Sequence, residues 1–199
     1  MVAWSTLLTA LFGLPLGVAL VVFDRGGLLP LPALKAVLGV VVNVGRSLPF
    51  IILMLALIPF TRFVVGTTLG VAAVVVPLTV GAVPFFARLV ETALREVGRD
   101  VVQAAQAMGA GRTAIVVKVL LPEALSGLVA GLTVTVIALI GYTAMAGVVG
   151  GGGLGDLAVR YGYQRFDTLV MVVTVVLLIV IVQLIQSLGD VVARRLSHK

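Results

Sequence analysis

Uncharged apolar stretches that are long enough to cross a membrane dominate this 199-residue sequence. A bilayer span needs roughly 20 apolar residues, or fewer where polar ends reach the headgroups. Charged residues make up 11% of the chain, far below the roughly 25% of soluble proteins. The sequence therefore predicts one all-α membrane domain over residues 1–199, with five transmembrane helices at about 2–23, 46–60, 63–84, 124–150 and 168–188.

Composition excludes several classes of function. The chain has no Cys, so it can form neither a disulfide nor a cysteine metal site. Its one histidine, His198, lies in the tail without a partner ligand, and the sequence predicts no metal, no cofactor and no catalytic residue. The net charge of +6 does not indicate nucleic-acid binding, because the basic residues lie between apolar spans. The first span lacks the basic start and the cleavage site of a signal peptide, so it is predicted to be retained.

Amphipathic and helix-breaking patterns modify this five-span plan. Residues 33–45 place apolar side chains on one stripe and Lys35 off it, which predicts a helix along the membrane interface. Pro77 and Pro84 are expected to kink or end the third span. Beyond that span an apolar stripe continues at helical spacing, and Glu91 is assigned to its polar side.

The distribution of Lys and Arg among the loops predicts the orientation. With the N-terminus outside, eleven of these residues fall on one side of the membrane and three on the other. Loops on the cytoplasmic side carry the excess of basic residues. Residues 85–122 and the C-terminus are therefore predicted to be cytoplasmic, and the loop at 156–167 is predicted to face outward.

The segment from Asp100 to Pro122 predicts a short helix, a turn and a second helix. Asp100 and Gln103 have the spacing of a capping box, in which each side chain bonds the free N–H groups of the first turn. Gly109 is placed to end this helix in the left-handed conformation, and Met108 adds a flexible apolar side chain. By pattern alone, an interfacial or re-entrant connector remains an alternative for this segment.

The spacing in this segment resembles the EAA motif of ABC importer permeases. Gln103-Ala104-Ala105 precedes Gly109 by three residues, and Val119-Leu120-Leu121-Pro122 follows after nine more. Two positions depart from the motif, since Gln103 replaces an acid and Val119 replaces isoleucine. The resemblance implies a coupling helix that rests in a cleft of a separate ATP-hydrolysing subunit. The residues it assigns to coupling are Asp100, Gln103, Ala104, Ala105, Met108, Gly109, Ala110, Gly111, Arg112, Val119, Leu121 and Pro122.

Further stretches narrow the resemblance to the permeases of methionine importers, and they cover nearly the whole chain. They include residues 46–52, 58–62, 76–81, 119–125, 141–145, 151–155, 184–186 and 189–190. That family implies the type I ABC importer permease fold in a bacterial inner membrane, which is also called the MetI-like fold. It implies a homodimer, two copies of an ABC ATPase and an extracytoplasmic substrate-binding lipoprotein, which together import L-methionine and D-methionine. A permease for another small amino acid and an uncoupled pore or scaffold remain the alternatives.

Two further sets of residues are candidate sites. Met145 is predicted to form an apolar constriction near the axis of a dimer, with Gly141 and Tyr142 beside it, and ordinary helix packing is the alternative. Arg160, Tyr161 and Arg165 are candidate contacts for the binding protein on the outward loop, where a solvated loop is the alternative.

Overall fold

The structure is a computed structural model that describes residues 1–147 and 150–197. Every regular element within these residues is a helix. The element order follows the chain, and two short π-helices interrupt it at Val116–Leu120 and Ala158–Tyr163. The α-helices are α1 Val2–Val22, α2 Pro32–Ser47, α3 Phe50–Ala56, α4 Ile58–Val65, α5 Val71–Arg95, α6 Arg99–Ala107, α7 Arg112–Ile115, α8 Leu121–Glu123, α9 Leu125–Ala146, α10 Leu154–Leu157 and α11 Thr168–Leu196.

Four helices, α1, α5, α9 and α11, are long and apolar enough to cross a membrane. The pair α2 and α3 passes the same test jointly but is bent by 105°, as in a broken span or a re-entrant loop. The described residues therefore contain four candidate spans, or five if the bent pair is one span. Part of the predicted fourth span, residues 148–149, lies outside the described residues, as does His198.

The second and third spans differ from the prediction. The chain does not run straight through residues 46–60, because Leu48 is extended, with ψ of 127°, ahead of Pro49. A residue before proline is disfavoured in the helical region, so the sequence Leu48-Pro49 explains the bend. The third span begins at Val71 rather than near residue 63, and residues 66–70 form a loop between α4 and α5.

The expectation that Pro77 and Pro84 kink or end the third span is wrong in its stronger form, because α5 continues through both to Arg95. Both prolines are buried between neighbouring helices. A Cβ on Gly45 of α2 would lie 2.9 Å from the Pro84 ring, so α2 packs directly against this interruption of α5. Neighbouring helices allow proline inside a span because their packing compensates for the missing backbone bond.

A stripe of small residues joins α1 to α5, the central helix of the bundle. Ser5, Thr9, Gly13 and Gly17 recur at every fourth position of α1, and all four are buried. A Cβ on Gly13 would lie 2.9 Å from Phe86, and one on Gly17 would lie 2.5 Å from Val90. Small residues at this spacing let two membrane helices approach closely, so the stripe sets the distance between α1 and α5.

Candidate functional site

The helices α1 and α5 end on the same side of the bundle, where α6 also lies. We call this side the basic end. A cluster of buried residues that includes Phe86, Val90 and Leu94 of α5 continues into Ala105 of α6. Ile115 and Leu120, which follow the turn after α6, belong to the same cluster and are 1% and 6% exposed. The helix α6 is therefore fixed to the membrane helices through one face and through the chain that follows it.

The C-terminal end of α6 confirms that Gly109 ends this helix in the left-handed conformation. This residue has φ of +78°, in the left-handed region that glycine adopts without strain. The Gly109 N–H donates to the Gln106 carbonyl at 2.9 Å, and the Ala110 N–H donates to the Ala105 carbonyl at 3.1 Å. These two bonds form a Schellman motif, which satisfies the last carbonyls of the helix and turns the chain away.

The predicted capping box at the other end of α6 is wrong. The capping residue is Gly98, without a side-chain bond, and Asp100 lies inside the first turn. A Cβ on Gly98 would overlap Asp100 Oδ1, so a larger residue there would require this exposed carboxylate to rotate away. The Asp100 charge still lies at the positive end of the helix dipole, which stabilises the helix without a box.

Two faces of α6 have different surroundings. One face borders a crevice of about 510 Å³ between α6, the loop after α1 and the end of α5. The residues of α6 on this face are Arg99, Val102, Gln103 and Gln106. With 3.6 residues per turn, Asp100, Ala104 and Ala107 lie on the other side, together with Met108 at the end of the helix. That outer face is exposed, and the Met108 side chain is 82% exposed.

The coupling residues predicted from the motif thus separate by burial. Ala105 is buried in the core cluster, while Ala110, Val119 and Leu121 are partly buried against it. The exposed members are Asp100, Gln103, Ala104, Met108, Gly109, Gly111, Arg112 and Pro122. The residues assigned to coupling omit Ile115 and Leu120, which are buried in the same cluster. Their apolar character within the predicted second helix was the available signal.

Ion pairs connect three helices at the basic end. Arg95 Nη2 on α5 lies 2.6 Å from Asp24 Oδ2 and 2.9 Å from Glu91 Oε1. Glu91 also pairs with Arg88, and Asp24 pairs with Lys35 of α2 at 3.7 Å. The Arg95 guanidinium, and next the Arg25 backbone N–H, lower the pKa of the Asp24 carboxyl below its usual value.

The placement of Glu91 corrects the sequence prediction. Its residue is only 4% exposed, although the pattern assigned it to the polar side of the helix. Two arginines at i−3 and i+4 compensate its charge, which explains how a carboxylate is accommodated there. The i, i+4 spacing of Glu91 and Arg95 was a sequence signal for this pair.

The candidate gate residues lie near the end of α9. Met145 is 46% exposed, and a Cβ on Gly141 would have no atom within 4 Å. The Tyr142 ring instead stacks on Phe50 of α3, with ring centroids 4.7 Å apart and planes at 5°. The structure therefore joins Tyr142 to the bent pair, and the role of Met145 at a dimer axis stays a prediction.

The predicted loop at 156–167 is mostly helical. It begins with α10 and continues as a π-helix to Tyr163. Arg160 Nε lies 2.7 Å from Asp156 Oδ1, and Arg165 stacks over the Tyr161 ring at 4.6 Å from its centroid. The three candidate contacts are exposed and lie on one short segment. Among the described residues, no group of three or more His, Asp or Glu is placed to hold a metal ion.

A family model, named relatives and solved structures all relate this chain to membrane transport proteins. The family model described as "binding-protein-dependent transport system inner membrane component" matches residues 6–198. A probable D-methionine transport system permease protein MetI from Vibrio cholerae is 55% identical over 187 residues, which are 94% of this chain and 83% of that protein. The methionine import system permease protein MetP from Bacillus subtilis is 47% identical over 176 residues, which are 88% and 79% of the two chains.

Among solved structures, the fold matches a crystal structure of the MetNI methionine ABC transporter in inward-facing conformations. The TM-score is 0.97 and the sequence identity is 47%. The match covers 100% of this chain and 92% of that chain. The helices of this chain therefore have the same arrangement as those of a type I ABC importer permease.

Proposed function

The chain belongs to the family of binding-protein-dependent transport system inner membrane components, and on this basis we propose that it is the permease subunit of a methionine importer. It forms the translocation pathway, and a separate ABC ATPase supplies the energy. The relatives described above, which are named for methionine transport, support the substrate. The observation that carries the coupling role is the exposed outer face of α6, closed by the Schellman motif at Gly109.

The outer face of α6 is suited to a cleft in the ATPase. Ala104 and Ala107 keep this face slim, so a groove can approach the helix backbone closely. Met108 can adapt its side chain to a pocket that changes shape when the ATPase closes. Since Ala105 and the residues after α6 are packed into the core, a force on α6 reaches α5 and α9 through buried contacts. A rigid helix of this kind can convert closure of the ATPases into a change of access.

We place the basic end in the cytoplasm, with the N-terminus outside and the C-terminus inside. The contacts of Asp24 with Lys35 and Arg95 bring the ends of α1 and α5 and the start of α2 to the same side as α6, as this orientation requires. The loop count of eleven basic residues against three supports the same orientation. The segment with Arg160, Tyr161 and Arg165 then faces outward, where it can contact a binding protein.

The assembly that we propose contains two copies of this chain, two copies of the ATPase and one extracytoplasmic substrate-binding protein. A single chain leaves α11 largely exposed, with only 6% of its most apolar window buried. Lipid can cover an exposed helix face of this kind. A translocation pathway, however, requires protein walls on all sides. A second copy of the chain supplies the remaining walls of the pathway.

Uptake of labelled methionine into proteoliposomes tests the proposal. The vesicles contain this chain, its partner ATPase and the binding protein, and uptake is measured with and without ATP and against unlabelled amino acids. We expect ATP-dependent uptake that only methionine and close analogues compete with. ATP hydrolysis that moves another amino acid would replace the substrate, and passive flux without ATP would favour the uncoupled pore.

A Gly109→Asp variant separates the coupled permease from an uncoupled pore or scaffold. The substitution places a negative charge at the negative end of the helix dipole, directly beside the proposed docking face. In a coupled permease it should detach the ATPase or abolish uptake. A pore or scaffold should lose little beyond the local backbone strain of about 1–2 kcal/mol, because Gly109 is exposed and an added side chain there would meet open space.

A further inference from the structure

A second cavity lies at the bend between α2 and α3, about 330 Å³ in volume and open on one side. We call it the arginine cavity. Two arginines and several apolar or aromatic side chains line it, and those that matter here are Arg46, Arg88, Phe50, Leu53, Phe85 and Tyr142. Four helices contribute to it, namely α2, α3, α5 and α9. It therefore lies between two candidate spans and the bent pair, and it opens to the surface where Arg46 and Arg88 are exposed.

The charge around the arginine cavity is unbalanced. Of the two arginines that line the cavity, Arg88 pairs with Glu91. Arg46, in the last turn of α2, has no carboxylate within 4 Å among the described residues. Arg46 and Arg88 are both exposed where they line the cavity, so an anion that enters it meets an unpaired guanidinium. The cavity is thus prepared for an anionic group.

The walls of the arginine cavity are suited to a flexible apolar chain. Phe50 is 7% exposed, and its stacked contact with Tyr142 holds both rings in place at one wall. Leu53 lies beside Phe50 on α3, where a Cβ on Gly81 would be 3.1 Å from it. The absence of a side chain at Gly81 lets Leu53 pack closely against α5, so that Leu53 and Phe50 together form this wall.

We propose that the arginine cavity is a resting site for the transported amino acid on its way through the permease. Arg46 takes the carboxylate, while the Phe50–Tyr142 pair and Leu53 contact the apolar side chain. This inference rests on the proposed function, from which it takes methionine as the probe. The volume of the arginine cavity is at the lower end of the range for ligand pockets, roughly 300–1,000 Å³, which fits a small molecule. The general ligand chemistry is an anion that carries an apolar chain, and an anionic lipid is the other source of it.

Binding of L-methionine to the complete permease–ATPase complex in nanodiscs of zwitterionic lipid tests the proposal. The binding protein is omitted, and affinity is measured by titration with saturation-transfer NMR. Arg46→Gln should weaken binding about tenfold, since hydrogen bonds to charged groups are the strong ones. Arg46→Lys should retain part of the affinity. Methioninol, which lacks the carboxylate, should bind the wild type and Arg46→Gln equally.

The matched control is Arg62→Gln, an exposed arginine of α4 that does not line the cavity. It should bind methionine like the wild type. Equal methionine affinity in Arg46→Gln and the wild type would overturn the proposal. A second result would also overturn it: Arg46→Gln retains less phosphatidylglycerol than the wild type but binds methionine equally well. The cavity would then be a lipid site.

Uptake by the same preparation, with the binding protein restored, separates this inference from the proposed function. A complex that imports methionine but shows no Arg46-dependent binding retains its function and loses only the cavity site. A complex that imports no methionine loses the proposed substrate. The comparison of methionine with methioninol still decides whether Arg46 receives a carboxylate.

Discussion

Arg95 on α5 joins Asp24, 71 residues earlier in the chain, through a hydrogen bond of 2.6 Å. Asp24 follows the end of α1, so this contact fastens the first membrane helix to the central one at the basic end. Arg95 simultaneously donates to Glu91 on its own helix. The arginine therefore connects a solvent-accessible carboxylate with a buried one. Directly beyond it the chain turns at Gly98 into α6.

We predict that Asp24→Asn lowers the melting temperature of the purified chain in detergent. A partly exposed ion pair contributes at most about 1 kcal/mol, which is roughly 2–4 °C for a chain of this length. The pKa of Asp24 is lowered in the folded state, mainly by Arg95. Its contribution is therefore fully present above the unfolded-state pKa of about 3.9, and it is lost as the pH falls through the lower folded-state pKa.

Thermal melts at several pH values, compared between wild type and Asp24→Asn, measure this contribution. The difference in melting temperature should be constant between about pH 8 and about pH 5 and should close at lower pH. Glu96→Gln is the control, because Glu96 is exposed and has no cation within 4 Å among the described residues. A difference that persists unchanged at low pH would show that the Asn side chain acts through packing.

A second prediction concerns the left-handed turn at Gly109. No atom lies within 4 Å of a Cβ at this position, so a substitution is opposed by φ of +78° and not by a clash. A side chain in this conformation costs about 1–2 kcal/mol, and asparagine costs less than alanine. Gly109→Ala should therefore reduce ATP-dependent uptake more than Gly109→Asn does.

The control for Gly109 is Gly39→Ala in α2. Gly39 also has open space around it but has ordinary helical φ, so alanine should be neutral there. Uptake in proteoliposomes and co-purification of the ATPase are the measurements. If Gly109→Asn and Gly109→Ala reduce uptake equally, the backbone conformation is not the cause.

A third prediction assigns docking to one face of α6. Ala104→Leu enlarges the exposed outer face, and a groove that fits a slim helix should reject it. Gln106→Leu introduces the same apolar side chain on the face that borders the crevice, and it controls for the change in apolar character. We expect Ala104→Leu to reduce co-purification of the ATPase strongly and Gln106→Leu to leave it nearly unchanged. Equal losses in the two variants would contradict the assignment of faces.

A fourth prediction concerns the small-residue stripe of α1. A Cβ on Gly17 would lie 2.5 Å from Val90 Cβ and 2.6 Å from the Ala87 carbonyl oxygen. Because the backbone oxygen cannot rotate away, Gly17→Ala should separate α1 from α5 and destabilise the chain by about 1–3 kcal/mol. Melting temperature in detergent measures the loss, with Gly39→Ala as the neutral control. A Gly17→Ala variant as stable as the wild type would mean that α1 is not held at this distance.

Features that depend on local sequence were predictable, and features that depend on distant partners were not. The membrane class, the all-helical fold and the left-handed turn at Gly109 follow from hydropathy and from glycine chemistry. The burial of Glu91 was missed because it depends on which helix faces it, and a one-dimensional pattern does not contain that information. The bend at Leu48-Pro49 was not predicted, because proline is compatible with both the first turn of a helix and a break.

The role of Met145 gives the last prediction. Its side chain is 46% exposed in the single chain, which leaves it available to a second copy. If Met145 from each copy closes the pathway, Met145→Ala should raise the leak of labelled methionine from proteoliposomes without ATP and should uncouple ATP hydrolysis from uptake. Leu125→Ala is the control, since Leu125 is similarly exposed at the opposite end of α9. Unchanged transport without a leak in Met145→Ala would reduce Met145 to ordinary helix packing.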